Sequence, residues 1–198
     1  MRSIFLSSFL SITLMTAGAA GAPAQDTQAP PPFVLSIPGF EDGGEIPVDF
    51  SQAADGVAEG EGTSPEISWE NPPEGTESFV LYMHDIDVVR DMTLEDQLHW
   101  LVWNIPADTT MLPEGVERGE QLEDGSYQTS ATGPVYRGPG APAAGPLHHY
   151  VFELYALDTS LDVEPVEDPF ENRRAVLEAM DGHILGKATY VGLFKRPE

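Results

Sequence analysis

The sequence predicts a mainly β domain of the sandwich type. Short apolar runs, rich in β-branched and aromatic residues, alternate with clusters of Gly, Pro and acidic residues along most of the chain. One segment near the C-terminus has apolar residues at helical spacing instead. Many short strands separated by such turn clusters favour a β-sandwich over a fold of alternating strands and helices.

The N-terminal segment, Met1–Gln25, has the layout of a secretory signal peptide. One basic residue precedes an apolar stretch over residues 4–16, and small residues follow up to Ala24. Hydroxyl residues interrupt the apolar stretch, which is shorter than the ~20 apolar residues of a membrane span. We therefore expect a signal peptide over residues 1–24, although a cut after Ala19 fits nearly as well. The mature protein would then be periplasmic or secreted, without stable membrane insertion.

Seven apolar runs follow a proline-rich linker over residues 25–32 and lie within the predicted domain, residues 33–198. Each run is short and is bounded by turn residues, as expected for strands. The predicted strands are Phe33–Ile37, Ile46–Phe50, Glu66–Trp69, Phe79–Asp85, His99–Ile105, Tyr150–Leu157 and Ala188–Phe194.

The segment Phe170–Met180 is predicted to be helical. Its apolar residues recur close to the helical repeat, and Gly182 stands where a C-terminal cap is expected. We therefore expect a single C-terminal helix before the last strand.

The chain is strongly acidic and lacks cysteine. It has 33 acidic and 9 basic residues, with a formal net charge of −24 at pH 7. Nucleic acids and anionic lipid surfaces are bound through clustered Lys and Arg, so this charge argues against both as partners. The absence of cysteine excludes thiol nucleophiles, disulfides and Cys-based zinc sites. Any chemistry must therefore use oxygen and imidazole groups.

One predicted strand ends an apolar face with two carboxylates. Alternate residues of a strand share a face, so the face that begins at Phe79 runs into Asp85 and Asp87. An apolar face that ends in carboxylates indicates a strand that leaves the core at the mouth of a pocket.

Two further strands show the same pattern with histidine. His148 extends the face that begins at Tyr150, and His99 begins the face of Leu101 and Trp103. Three strands thus end largely apolar faces with His or Asp, and their convergence would form one polar pocket.

Each of these residues alone also has a structural explanation. An Asp at a strand end usually caps a turn, and a His beside aromatic residues is usually a hydrogen-bonded structural histidine. Asn104 is interpreted as a turn residue on the same grounds. The pocket prediction therefore rests on the convergence of several residues.

Five sets of residues, in order along the chain, also carry a family resemblance. They are Ser64–Trp69 with Pro72–Thr76, Asp85–Asp87, His99–Pro106, Gly138–Pro142 with Leu147–Phe152, and Ala179–Leu185. The first set resembles the opening region of the phosphatidylethanolamine-binding (Raf kinase inhibitor-like) family, bacterial branch, and the second resembles the family's Asp-Pro-Asp element. The third resembles its His-containing strand, and the fourth resembles its Gly-Pro loop with the His-Arg-Tyr strand. The fifth resembles the end of its C-terminal helix. The likeness covers roughly residues 33–194.

The resemblance implies a large central β-sheet packed on a smaller sheet, with the C-terminal helix on the other side. It also implies a ligand pocket, with Gly138 and Pro139 on its rim, whose walls are Asp85, Asp87, His99, His148 and Tyr150. These wall residues are the ones that strand alternation selects independently. The family's proline is replaced by Ile86, and His149 stands where an Arg is common, so the likeness does not extend to ligand identity.

An Asp/His pocket can bind an anion if a carboxylate orients an imidazole through one ring nitrogen and leaves the other nitrogen to donate. The Tyr150 hydroxyl and backbone N–H groups of the Gly138–Gly145 loop would add donors. We therefore predict an exported binding protein for a small phosphate- or carboxylate-bearing group, without a cofactor. The physiological ligand, any protein partner and the oligomeric state stay open.

Two alternatives also stay open. The first is a hydrolase in which His99 or His148 acts as a general base activated by Asp85 or Asp87, although no Gly-x-Ser-x-Gly motif is present. The second is a metal site built from the same four residues, which are suitable ligands by type but match no standard metal motif in spacing.

The signal peptide leads to a direct prediction. Native protein should lack residues 1 to about 24, because the apolar stretch is too short to remain as a membrane span. N-terminal sequencing of material from the producing organism tests this, and a native sequence that starts at Met1 would contradict it.

Overall fold

The computed structural model describes residues 29–198, so the predicted signal peptide and most of the linker lie outside the described residues. Residues Pro31–Glu198 form one compact unit. The elements in chain order are β1 (Val34–Ser36), β2 (Gly44–Glu45), a 3₁₀ helix (Val48–Phe50), β3 (Ile67–Glu70), β4 (Ser78–Asp85), β5 (Gln97–Pro106), β6 (Met111–Leu112), β7 (Tyr127–Thr129), β8 (His148–Leu157), α1 (Pro169–Ala179) and β9 (Ile184–Phe194).

Two β-sheets form the framework of the described domain. The larger sheet has six strands in the order β2-β9-β8-β4-β5-β7, and the smaller has three in the order β1-β3-β6. Neighbouring strands are antiparallel except β2 and β9, which are parallel. The prediction of a mainly β fold, with a large central sheet, a smaller sheet and a C-terminal helix, is confirmed.

The central strands of the larger sheet are buried on both faces. One face packs against the smaller sheet in a core that includes Phe79 and Phe152, as strand alternation predicted. The opposite face packs against α1, and this second core includes Val80, Trp103 and Val176. Burial on both faces explains why β4 is a nearly continuous apolar run that meets polar residues only at its end.

The C-terminal helix is also confirmed. Asp168 caps its N-terminus, where the Asp168 carboxylate accepts hydrogen bonds from the backbone N–H groups of Phe170 and Glu171. Pro169 occupies the first turn, where its missing N–H group costs nothing. The chain turns beyond the helix at Gly182, whose φ is +84°. No helix among residues 29–198 combines the length and apolar character needed to cross a membrane.

Arg173 fixes the helix to the sheet by buried ion pairs. Its guanidinium lies 3.0 Å from the Asp96 carboxylate and 3.2 Å from the Glu95 carboxylate, both in the segment just before β5. The Arg173 side chain is 4% exposed, so its charge is satisfied by these partners rather than by water.

The predicted strand at Ile46–Phe50 is wrong. Strand β2 stops at Glu45, and Val48–Phe50 forms a 3₁₀ turn in which the Phe50 N–H group donates to the Pro47 carbonyl. Pro47 has no N–H group and a fixed φ, which favours a turn over continued sheet pairing. Strands β2, β6 and β7 escaped prediction because they are only two or three residues long, too short to show alternation.

Two irregularities in β5 change which side chains share a face. Met83 pairs with Trp100 but His84 pairs with Leu98, so His99 is an extra residue in β5. His99 therefore packs on the inter-sheet side, edge-on to Tyr150. The prediction that His99 shares the face of Leu101 and Trp103 is wrong, because those residues contact the helix-side core.

The second irregularity lies at Asn104, which was interpreted as a turn residue. Asn104 is instead inside β5, with a φ of 58°, between the pairs Phe79–Ile105 and Leu81–Val102. Its side-chain amide donates to the Leu161 carbonyl at 2.9 Å, and its oxygen accepts from the Leu161 N–H group at 2.8 Å. Asn tolerates this left-handed conformation better than most residues.

Two substitutions of Asn104 separate the effect of its hydrogen bonds to Leu161 from the effect of its left-handed backbone conformation. Asn104→Ala should lower the free energy of unfolding by roughly 2–3 kcal/mol, because it removes both hydrogen bonds and leaves a non-glycine residue in the left-handed region. Asn104→Gly should be about 1 kcal/mol less destabilising, because glycine adopts this φ freely. Chemical denaturation of both variants tests the difference, and a glycine variant no more stable than the alanine variant would contradict it.

Candidate functional site

A cavity of about 160 Å³ lies at the ends of β4, β5 and β8. We call it the inner cavity and define it by its lining residues: Gln52, Asp85, Val88, Gln97, His99, Arg137, Gly140, Ala141, Pro142, His148 and Tyr150. The fold thus brings together Asp85, His99, His148 and Tyr150, which the sequence assigned to one pocket.

Asp85 and His148 form a hydrogen-bonded pair in this cavity. The His148 Nδ1–H group donates to Asp85 Oδ2 at 2.8 Å, because an ionised carboxylate only accepts. The Asp85 side chain is 3% exposed, and its other oxygen accepts from the Asp87 N–H group at 3.0 Å. The Asp85–Tyr150 pairing of β4 with β8 brings the two strand ends together. His148 Nε2 has no hydrogen bond to another described residue and is available to a ligand.

Tyr150 holds the Gly-Pro loop in place. Its hydroxyl oxygen accepts hydrogen bonds from the Gly140 and Ala141 N–H groups, each at 3.1 Å. Burial, together with the nearby Asp85 carboxylate, raises the pKa of Tyr150 well above its usual range, so the hydroxyl stays protonated. These two loop N–H groups are therefore used within the protein, contrary to the expectation that they serve a ligand.

His99 and Arg137 are joined by two hydrogen bonds. The His99 Nδ1–H group donates to the Arg137 carbonyl at 2.8 Å, and the Arg137 N–H group donates to the His99 carbonyl at 3.0 Å. Burial lowers the pKa of His99 to about 3, so its imidazole is neutral and its Nε2 is an acceptor. The expected orientation of an imidazole by a carboxylate thus holds for His148 but not for His99.

Asp87 lies beside the inner cavity but does not line it. Its carboxylate accepts from the His149 N–H group at 2.6 Å and from His149 Nδ1 at 2.9 Å. Partial burial opposes ionisation of Asp87, but the two His149 hydrogen bonds outweigh it, and the pKa of Asp87 lies below its usual range. His149 is half exposed and points away from the cavity lining.

Gly138 and Pro139 lie under the rim rather than on it. Their carbonyl groups accept hydrogen bonds from Gln52, at 2.7 Å from its side-chain amide and at 2.9 Å from its backbone N–H group. A Cβ atom at Gly138 would lie 2.8 Å from the Ser51 backbone, so only glycine fits there. These residues support the rim, which is formed by the next residues, Gly140–Pro142.

The residues of the metal alternative come together only in part. One ligand atom each from Asp85, Asp87 and His148 lies within 4.8 Å of the others, and His99 is not in this group. Asp85 and His148 are hydrogen-bonded to each other, and Asp87 is bonded to His149.

Arg137 is a site residue that the sequence analysis missed. It lines the inner cavity, and its guanidinium has no hydrogen bond or ion pair with any residue among 29–198, although its Nε atom is buried. The available signal was a basic residue directly before the Gly138-Pro139 loop in a chain with few basic residues. Gln52 and Gln97 also line the cavity and were missed, because nothing in their local sequence marks them.

The two packed sheets, with a polar cavity at the strand ends, define the class of phosphatidylethanolamine-binding-protein folds. A sequence profile of the family "Phosphatidylethanolamine-binding protein" matches residues 36–195. The chain belongs to this family, as its motifs predicted.

Relatives and solved structures agree with this assignment. A UPF0098 protein of Methanothermobacter thermautotrophicus is 39% identical over 164 residues, which are 82% of this chain and 98% of the relative.

The structure of CT736 from Chlamydia trachomatis, described as a candidate phosphatidylethanolamine-binding protein homologue, is similar to this chain. It has a TM-score of 0.66 at 30% identity, and the match covers 83% of this chain and 98% of that one. The YbcL structure from Escherichia coli, with a TM-score of 0.68 and 24% identity over 83% of this chain and 99% of that one, supports the fold alone. LppC of Mycobacterium tuberculosis, described as a candidate lipoprotein, is 29% identical over 83% of this chain and 73% of the relative.

The buried, neutral His99 predicts acid sensitivity. Unfolded His99 takes up a proton near pH 6.5, whereas folded His99 does so only near pH 3, so its contribution to stability is lost as the pH falls between these values. The loss is on the order of 4 kcal/mol. His99→Gln should show a shallower decline of unfolding free energy from pH 6.5 to pH 4 than the parent protein, measured by denaturation at each pH. Parallel declines in both proteins would contradict the buried neutral state.

Proposed function

We propose that this protein is an exported binding protein that holds a small phosphate- or carboxylate-bearing group in the inner cavity. The observation that carries the proposal is the hydrogen bond from His148 Nδ1 to the buried Asp85 carboxylate. This bond fixes the orientation of the imidazole ring, so that Nε2 is directed to a ligand and, when it carries a proton, donates a hydrogen bond to an anion.

Arg137 favours an anion in the inner cavity of an otherwise acidic protein. The Arg137 guanidinium lines the same cavity as His148 and stays protonated, because the pKa of arginine remains high even when burial lowers it. The carboxylate of Asp85 is already used by His148, so the groups left for a ligand are donors. The inner cavity offers these donors although the net charge of the chain is −24.

The neutral His99 narrows the chemistry of the ligand. Its Nε2 atom accepts a hydrogen bond, whereas His148 and Arg137 donate. A group that has both an anionic oxygen and a protonated oxygen satisfies all three, as a phosphate or a phosphomonoester monoanion does. A cavity of about 160 Å³ has room for one such group and not for an acyl chain.

A hydrolase is the second candidate, favoured by the same Asp85–His148 pair. A carboxylate that orients an imidazole is the arrangement of a general base. The side chains that line the inner cavity include no Ser, Thr or Cys, so the simplest hydrolase would use a water molecule activated by His148. Turnover of p-nitrophenyl phosphate that is lost in His148→Ala would support hydrolysis over binding, and recovery of the ester intact would support binding.

Export is part of the proposal. It is supported by the signal-peptide layout of Met1–Gln25 and by the description of one relative, LppC, as a candidate lipoprotein. Fractionation of the producing organism tests the location, and recovery in the cytoplasm with an intact N-terminus would contradict it.

The neighbouring histidines provide a matched pair of variants. His148→Ala should weaken binding of inorganic phosphate about 10- to 100-fold, since loss of a charge-assisted hydrogen bond costs roughly 1.5–3 kcal/mol. His149→Ala should leave phosphate affinity nearly unchanged, because His149 is half exposed and bonded to Asp87 outside the cavity lining. Isothermal titration calorimetry measures both affinities.

The proposed site is contradicted if the two variants have the opposite effects on phosphate binding. If His149→Ala abolishes phosphate binding while His148→Ala does not, the ligand is bound elsewhere. Thermal unfolding of both variants serves as the control, because both must remain folded for the comparison to count.

A further inference from the structure

A second and larger cavity, of about 710 Å³, adjoins the inner cavity. We call it the outer cleft, and its lining residues are Gln52, Val57, Glu59, Gly60, Thr132, Arg137, Gly140 and Arg196. It shares Gln52, Arg137 and Gly140 with the inner cavity. One small molecule can therefore extend from the inner cavity into the outer cleft along the Arg137 side chain.

The outer cleft holds two arginines without carboxylate partners. Neither Arg137 nor Arg196 forms an ion pair with any residue in the described part of the chain, and Lys195 shares this property. The other basic side chains of residues 29–198 are all in ion pairs: Arg90, Arg118, Arg173, Arg174 and Lys187. In so acidic a protein, carboxylate partners are abundant, so two unpaired arginines in one cleft indicate an external anion.

Arg137 and Arg196 carry like charges in one cleft, so they repel each other. Burial lowers the pKa of Arg137, and the charges of Arg196 and Arg90 lower it further, whereas Tyr150 and Glu59 act in the opposite direction. Glu59 also lines the cleft but forms no ion pair with either arginine. An anion bound between Arg137 and Arg196 would turn this repulsion into two attractions.

Hydrogen bonds fix the main chain at both arginines before any ligand binds. Arg137 is fixed to His99 by the two hydrogen bonds described above. The Arg196 N–H group donates to the Ala141 carbonyl at 2.9 Å, which ties the C-terminal segment to the rim of the inner cavity. Gly60, with a φ of +79°, leaves room for the guanidinium, because a Cβ atom there would lie 3.0 Å from Arg137 Nη1. A preformed site loses less conformational entropy on binding.

We propose that the outer cleft binds the second anionic group of a ligand whose first anionic group occupies the inner cavity. The two groups are adjacent in the ligand, because Arg137 contacts both cavities. The ligand class is thus a small molecule with two neighbouring negative groups, of which a diphosphate is the simplest example. This inference rests on the proposed function of the inner cavity.

The experiment compares inorganic phosphate with inorganic diphosphate by titration calorimetry in metal-free buffer at constant ionic strength. The parent protein should bind diphosphate about tenfold more tightly than phosphate, or better, because of the additional charge-assisted contacts. Arg196→Gln should abolish most of this preference and leave phosphate affinity unchanged, since Arg196 does not line the inner cavity.

Two further variants make the test specific. Lys195→Gln changes the net charge by the same amount at the next residue, but Lys195 does not line the outer cleft, so the diphosphate preference should persist. Glu59→Gln removes the carboxylate from the cleft and should strengthen diphosphate binding severalfold.

The outcomes separate this inference from the proposed function. If the parent protein binds phosphate through His148 but diphosphate no more tightly, or if Arg196→Gln and Lys195→Gln act alike, the outer cleft is not a second subsite and the inner cavity stands. If phosphate binding is absent, or is insensitive to His148→Ala, the proposed function itself fails.

Discussion

The buried carboxylate of Asp85 is the interaction on which the inner cavity depends. A carboxylate with 3% exposure requires hydrogen-bond donors, and it finds them in His148 and in the Asp87 N–H group. These contacts orient one imidazole and fix the exit of β4 from the core. The same strand register sets Tyr150 opposite Asp85, and Tyr150 in turn holds the loop that closes the cavity. The core, the loop and the ligand-facing imidazole are therefore one connected structure.

The irregularity in β5 at His99 determines a second part of the cavity wall. The extra residue in β5 turns His99 toward Tyr150, and two hydrogen bonds attach it to Arg137. His99 and Arg137 thereby both contribute to the wall of the inner cavity. The cavity wall thus carries a hydrogen-bond acceptor, His99 Nε2, and a positive charge, the Arg137 guanidinium.

Charge is distributed unevenly over this acidic protein. Most basic side chains of the described domain are neutralised by nearby carboxylates, and Arg173 uses such pairs to dock the helix. Arg137, which lines both cavities, and Arg196, which lines the outer cleft, form no ion pair with any residue among 29–198. An acidic surface raises solubility and repels anionic polymers, while a local positive cleft can still concentrate a small anion, since screening confines each field to about 10 Å.

The sequence by itself indicated the fold class, because period-two alternation and turn residues are local properties of the chain, and its motifs indicated the family. It also named four residues of the cavity lining, Asp85, His99, His148 and Tyr150. Alternation succeeded for Asp85, His148 and Tyr150, which lie on regular strands. It assigned His99 to the pocket but to the wrong face of β5, because an extra residue in a strand leaves no local mark. Only the tertiary structure decided the pairing of Asp85 with His148, the neutral state of His99 and the position of Arg137, since these depend on contacts between segments far apart in sequence and on burial from water.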